Sequence, residues 1–458
     1  MLHRWLLVVV LATAAIVTTL PCPATAAGWK AGAARQKITP EHSMWMAGYG
    51  SRNQPATGFL NDLWAKAIVL EDPGGTRVAI LGLDLVGIGP DVADPVREAL
   101  ASKYDLPASH VAFCCSHTHS GPVVGHNLQT LHYDLVDPNQ QALIDEYATR
   151  LKATLVKVVG EAVAALEPSE VSFGQGTASF AVNRRNNKEA DVPELRAAGK
   201  LVGPVDHDVP VLKITNAGGK LTTVLFGYAC HATVLSGYDW SSDYPGFAQS
   251  DIEARHPGCT AVFFAGCGAD QNPIPRRKVE QAKQYGAGLA AAVDAVLSRS
   301  LTPIAGTLEV QSTQIPLALA HVPSRDEAET DAQSKDKYVA ARAKYFLRLL
   351  DAGKPIPATY DYPIQVWQLG DDLTLVTLGG EVVVDYALRL KQELGRERTW
   401  VAGYTNDVMA YIPSRRVLAE GGYEGGGAMV YYGLPSPWTP AVEEDIVRAV
   451  HRLHDAAK

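Results

Sequence analysis

Two histidines one residue apart carry the strongest chemical signal in this chain. They lie in Cys114-Cys115-Ser116-His117-Thr118-His119-Ser120-Gly121-Pro122, which follows a short apolar run and breaks at Gly-Pro. In extended backbone, residues two apart share a face. Both imidazoles would then leave a strand end toward one small volume. Such a pair offers two metal ligands, or one ligand with a proton shuttle beside it. Taken alone, the pair also fits ordinary hydrogen-bonded histidines, so its meaning depends on what the rest of the chain brings to it.

Six apolar, β-branched-rich runs end abruptly in glycine and polar or ionisable residues. Val78 to Leu83 ends at Asp84, and Val111 to Phe113 at His117 and His119. Thr222 to Tyr228 ends at His231, and Thr260 to Phe264 at Gly266 through Pro273, which includes Asp270, Gln271 and Asn272. Leu373 to Leu378 ends at Glu381, and Thr399 to Val401 at Tyr404 through Asp407. Runs of this kind are strands buried on both faces, and α/β folds place chemistry at strand ends. Any one of these polar residues also fits a loop cap; six together argue for one shared site.

Helical patterns fill the intervals. Gln140 to Leu166 is amphipathic, Val279 to Leu297 is Ala-rich, Val383 to Leu394 follows Glu381, and Ala441 to His454 closes the series. Ser324 to Leu350, highly charged with apolar residues at helical spacing, reads as one solvated surface helix. Gly421 to Gly427, with Tyr423 and Glu424 inside it, is either a mobile flap over the site or a plain surface turn. The expected fold is α/β, with central, largely buried β-sheets flanked by helices and the site at the strand ends. Neither a linker nor a 20–50-residue repeat divides the chain, so residues 27–458 read as one domain.

Composition narrows the function classes. With a net charge of −8, 47% hydrophobic and 20% charged residues, and no dense basic run, nucleic acid is excluded as a partner. Residues 1–26 read as a cleavable export signal: His3 and Arg4, an apolar stretch from Leu6 to Val17, and small residues at Ala24-Thr25-Ala26. That stretch is too short for a membrane anchor. A secreted or periplasmic protein is the expectation. Cys114, Cys115, Cys230, Cys259 and Cys267 would remain, as small strand residues beside the site, as thiolate ligands, or with one disulfide among them.

Ser116-His117-Thr118-His119-Ser120-Gly121-Pro122 resembles the T-H-T-H-S-G-P motif of the neutral/alkaline non-lysosomal ceramidase family. Further segments agree in order. Asn183-Arg184 resembles the start of N-R-S-P, and Cys230-His231-Ala232-Thr233 resembles V-H-G/A-T. Ser241 to Gly246 is similar to I-S-S-D-N-K-G, and Gly380-Glu381 to P-G-E-F. Asn406 to Tyr411 with Tyr423-Glu424-Gly425 resembles N-x-Y-x-x-Y … Y-E-G/A. The resemblance runs from about residue 30 to 435 and implies the catalytic domain, without the immunoglobulin-like domain that follows it in the family.

The resemblance implies Zn2+ held by His117, His231, Glu381 and Tyr411, two nitrogen and two oxygen donors with room for water. His119 becomes a proton shuttle or supporting group, and Arg184 and Tyr423 orient substrate or an oxyanion. The family's nucleophilic serine in G-D-x-S-P falls on Asn272, with Asp270 and Pro273 retained. An amide nitrogen is not a nucleophile, so Asn272 and Gln271 are expected to donate hydrogen bonds instead. The reading is a secreted zinc-dependent hydrolase that cleaves an amide or ester by metal-activated water, acting on a small-molecule or lipid acyl substrate. A true ceramidase, and a non-catalytic secreted binding protein on the same fold, are the alternatives. No G-x-S-x-G elbow supports a plain serine hydrolase.

Overall fold

The computed structural model describes residues 28–458; the export-signal segment lies outside the described residues. One order of elements, β-β-β-α-β-α, occurs three times. The first unit comprises β1 (Lys30–Lys37), β2 (Trp64–Glu71), β3 (Arg77–Leu83), α1 (Pro90–Tyr104), β4 (Val111–Cys115) and α2 (Pro138–Ala164). The second comprises β5 (Glu167–Thr177), β6 (Asp208–Asn216), β7 (Leu221–Tyr228), α3 (Asp243–Arg255), β8 (Thr260–Ala265) and α4 (Val279–Leu297). The third comprises β9 (Leu308–Ala318), β10 (Thr359–Leu369), β11 (Leu373–Leu378), α5 (Val384–Leu394), β12 (Thr399–Ala402) and α6 (Val442–Ala456). The period is far longer than the short repeats whose absence the sequence suggested.

Within each unit the first three strands pair antiparallel and a helical crossover makes the fourth parallel to the third. Units one and two join edge to edge, Lys30–Ala31 pairing with Glu167–Pro168. Their outer strands β4 and β8 then approach each other, and the Ala265 amide donates to Cys114 Sγ at 3.2 Å. Bridges Cys114–Thr405 and Gly266–Ala402 bring β12 of the third unit to the same place. The ends of three fourth strands therefore meet at one centre.

All six apolar runs form strands, and each is almost wholly buried. Their Val, Ile, Leu and Phe side chains pack under helices on one face and against the neighbouring units on the other. Helix starts follow capping chemistry. Asp137 accepts from the Asn139 and Gln140 amides ahead of α2, with Pro138 at the first helical position. The charged stretch 324–350 is two helices, Arg325–Asp331 and Lys337–Asp351, not one. Asp336 accepts from the Tyr338 and Val339 amides and starts the second helix afresh.

Every unit carries its insertion between its first and second strands: residues 38–63, 178–207 and 319–358. These, together with the 403–441 connection between β12 and α6, supply the walls around the centre. The five cysteines are all free and buried, which corrects the expectation of a disulfide. Burial pushes each thiol up, so they serve as packing groups and none is held as a thiolate.

Candidate metal centre

Two of the sequence-predicted ligands fall at the same position of their units, and a third follows a fourth strand. His231 and Glu381 each stand three residues beyond the end of a third strand, β7 and β11. His117 stands two residues beyond β4, and Tyr404 occupies the matching place after β12. His117 and Tyr404 both adopt left-handed backbone, with φ of 59° and 55°. Residues of these types seldom take that conformation, and it concentrates at functional sites. It also corrects the route by which His117 and His119 meet. β4 ends at Cys115, so a turn and not a strand pleat brings the two rings together.

The rings and the carboxylate converge tightly. Glu381 Oε2 lies 3.2 Å from His117 Nε2 and 3.1 Å from His231 Nε2. His119 Nε2 lies 3.1 Å from His117 Nε2. All four side chains are buried or nearly so. The Nδ1 atoms of His117 and His231 sit 2.6 and 2.9 Å from the carbonyls of Val86 and Gly268. Those carbonyls require protonated Nδ1, which leaves each Nε2 lone pair aimed at the common point.

Burial and the Arg184 charge lower His231 to about 4, and burial with the two neighbouring imidazoles holds His119 well below its usual value. Burial works to raise the Glu381 carboxyl, and His117 and His231 hold it well below its usual value only where a proton sits on Nε2; with both Nε2 lone pairs free, that place falls to a cation. An anion thus faces nitrogen lone pairs, and Glu381 Oε2 is a buried oxygen with no hydrogen-bond donor. That arrangement is costly by itself and becomes favourable around a cation. His117, His119 and His231 form a cluster that could hold a metal ion, and Glu381 supplies the charge.

Glu381–Val382 and Tyr411–Ile412 form a parallel ladder in which Glu381 is paired directly with Tyr411. Tyr411 OH lies 3.4 Å from His231 Nε2 and accepts from Arg184 Nη2 at 3.0 Å. Arg184 and Asn272 arrive on a second ladder, Ala181–Asn183 against Gln271–Pro273. Arg184 Nη1 reaches Asn272 Oδ1 at 3.4 Å, and its Nε donates to Glu424 Oε1 at 2.7 Å. Glu424 also accepts from Arg185 at 2.6 Å, so the glycine-rich loop is pinned by a buried carboxylate and is not a free flap. Gln271 holds the Ala229 carbonyl at 2.7 Å, below the centre.

Asp270 lies beneath these groups and touches none of the imidazoles. Its oxygens accept from the Val384 amide, at the first residue of α5, and from Asn183 Nδ2. Burial raises it to about 6. Asp84 and Asp407, expected at the shared site, are elsewhere. Asp84 accepts from the Trp64 amide and Gln249, and Asp407 from Tyr360. Five of the six runs reach the centre through residues named for them, β12 through Tyr404, and β3 offers only the Val86 carbonyl beyond Asp84.

Three aromatic residues contact the donors, of which sequence reasoning named only Tyr404, at the end of its run. The Tyr404 ring lies 4.5 Å from the His117 ring, Tyr49 lies 4.7 Å from His119, and Tyr432 donates to Glu381 Oε1. Of the other two, only Tyr432 had a local signal, its place just after the glycine-rich loop. Gly48 lets Tyr49 approach: a Cβ there, at φ +96°, would stand 2.5 Å from the His119 ring. Tyr423 is half exposed, its ring 5.2 Å from that of Tyr411.

Sheets flanked by helices carry, at their strand ends, a buried imidazole–carboxylate cluster that could hold a metal ion. Residues 29–293 match the neutral/alkaline non-lysosomal ceramidase family, N-terminal part. Neutral ceramidase of Pseudomonas aeruginosa is 23% identical over 94% of this chain and 73% of its own length. Neutral ceramidase of Drosophila melanogaster is 32% identical over 25% of this chain and 16% of its own. A solved ceramidase complexed with C2 superposes with a TM-score of 0.71 at 18% identity, covering 93% of this chain and 74% of that one. The crystal structure of the Pseudomonas aeruginosa enzyme gives 0.70 at 20%, with the same coverage. The chain belongs to the neutral/alkaline non-lysosomal ceramidase family and is a ceramidase-like hydrolase. Among the described residues no helix is long and apolar enough to cross a membrane.

Proposed function

We propose that this chain is an exported, zinc-dependent amidohydrolase in which residues 27–458 form one catalytic domain and water, not a side chain, attacks the substrate carbonyl. The observation that carries the reading is the convergence of His117 Nε2, His231 Nε2 and the orphaned Glu381 Oε2. Two imidazoles and a carboxylate, with His119 and Tyr411 at the edge, suit the nitrogen and oxygen preference of zinc. Zinc bound there lowers the pKa of a bound water toward about 7 and polarises a carbonyl oxygen.

The protein groups have separable tasks. Val86 and Gly268 carbonyls fix the tautomer of His117 and His231, and Tyr432 holds the second Glu381 oxygen. Asp270, through the Val384 amide, anchors the start of α5 and with it the Glu381 segment. Arg184, clamped by Glu424, aims a guanidinium at Tyr411 OH and Asn272, where carbonyl charge would be stabilised. With its oxygen facing Arg184, Asn272 has its amide nitrogen left to donate to substrate. His119 and Tyr423 complete the wall around the reacting group.

Metal analysis of the purified chain should find about one zinc per molecule. Chelation should abolish turnover of N-acyl substrates, and zinc should restore it. Full activity after chelation, or in His231→Ala, would overturn the proposal. A narrower form, a ceramidase acting on N-acylsphingosine, has the relatives' names behind it.

A further inference from the structure

His117 and His231 are oriented through Nδ1, each by a backbone carbonyl. His119 is oriented otherwise. Among the described residues its buried Nδ1 has no hydrogen-bond partner, yet its Nε2 comes to the same place, 3.1 Å from His117 Nε2. The ring is therefore aimed by its backbone and by packing. The backbone is held from both sides: the His119 amide donates to the Ala232 carbonyl at 3.2 Å, and the His119 carbonyl accepts from Arg52 Nη2 at 2.7 Å.

Arg52 lies in the first unit's insertion and is only 5% exposed. Among the described residues it pairs with no carboxylate. Its donors go to carbonyls of three segments: Ala47 at 2.5 Å in its own insertion, His119, and Gly237 at 3.0 Å in the loop before α3. A buried cation without a counter-charge is costly, and charge-assisted bonds to three carbonyls offset that cost while tying the segments together. The guanidinium also lies 5.0 Å from the Tyr49 ring. Tyr49 donates its hydroxyl to the Leu235 carbonyl at 3.1 Å and meets the His119 ring edge-on, at 62° and 4.7 Å.

We infer that Arg52 is a positioning residue, which aims the His119 imidazole through the His119 carbonyl and the Tyr49 ring. A guanidinium suits the task because its planar fork serves several carbonyls at once, which a lysine ammonium on a flexible stem does not. The inference rests on the amidohydrolase reading above, in which His119 stands beside the reacting group.

The test is a double-mutant cycle on zinc-loaded protein, with the N-acyl substrate that the parent cleaves fastest. Arg52→Lys and Tyr49→Leu should each lower kcat about tenfold or more, and Arg52→Lys should leave zinc content and KM within about twofold of the parent. In a His119→Ala background neither substitution should lower kcat further, a result that a merely structural role would not produce. Should Arg52→Lys fail to fold, the cycle between Tyr49→Leu and His119→Ala decides the matter. Unchanged kcat in both variants, losses that multiply in full on top of His119→Ala, or zinc lost from folded Arg52→Lys would overturn the inference and leave the amidohydrolase standing. A zinc-loaded parent that cleaves no N-acyl substrate would sink both.

Discussion

Replacing Glu381 by glutamine separates metal binding from folding, because the two should move in opposite directions. The side chains are isosteric, and the amide oxygen can still accept from Tyr432. What disappears is one negative charge about 3 Å from His117 Nε2 and His231 Nε2. At an effective dielectric of 20, two unit charges about 4 Å apart interact by about 4 kcal/mol, so zinc affinity should fall by at least ~1000-fold. In the metal-free protein the same carboxylate is buried without a hydrogen-bond donor at Oε2. Removing an unsatisfied buried charge should leave the metal-free variant more stable than the metal-free parent, by about 1–3 kcal/mol. Competitive chelator titration gives the affinity, and urea denaturation in excess chelator gives the stability. Wild-type zinc affinity in Glu381→Gln, or a metal-free variant weaker than its parent, would refute the assignment of Glu381 as the charged ligand.

Glu424→Gln breaks the carboxylate shared by Arg184 and Arg185; activity should drop about 10–100-fold with zinc content intact, as expected when a supporting residue is lost. Tyr404→Ala removes a fully buried ring packed on His117, and urea denaturation should show a loss of about 3–5 kcal/mol. Asp407 makes stability depend on pH. Burial raises it to about 7, although the Tyr360 hydroxyl and Arg97 work against that. The folded state therefore keeps a proton that the unfolded chain releases near pH 4, and this contribution, complete below pH 4, is lost as pH rises toward 7. A shift of about three units is worth at most about 4 kcal/mol. Asp407→Asn should flatten the stability profile between pH 4 and 7 relative to the parent; an unchanged slope would contradict it.

The parts of the fold legible in the sequence are those where one physical term dominates. The six runs that became buried strands carry apolar residues on both faces, so nothing competes with the strand reading. Strands β1, β5 and β9 were not legible: their half-exposed, mixed residues show no comparable run. The second strands β2, β6 and β10 were not read either, and without the first two strands of each unit the threefold order of elements stays hidden. The break at 332–336 was hidden differently, since the apolar spacing continues across it while Asp336 restarts the helix.

At the centre, His117, His231 and Glu381 were legible because each follows directly on a run that ends. Tyr49 acts through packing across distant segments, which leaves no local trace; Tyr404 and Tyr432 stand after a run and after the glycine-rich loop, and neither place reveals the side chain each one touches. Asp84 and Asp407 show the opposite error. They end runs as the ligands do, yet their oxygens are spent on a backbone amide, Gln249 and a tyrosine.

The derivation of the donor set from all three units has a consequence for the fate of the chain. His117, His231 and Glu381 are contributed by units one, two and three in turn. A cation bound among them acts as a staple across the whole polypeptide, closing two long loops at a single point. Cleavage at either junction, near Leu166 or Ser300, should then leave the pieces held by packing and metal together, with urea resistance that falls once the metal is stripped.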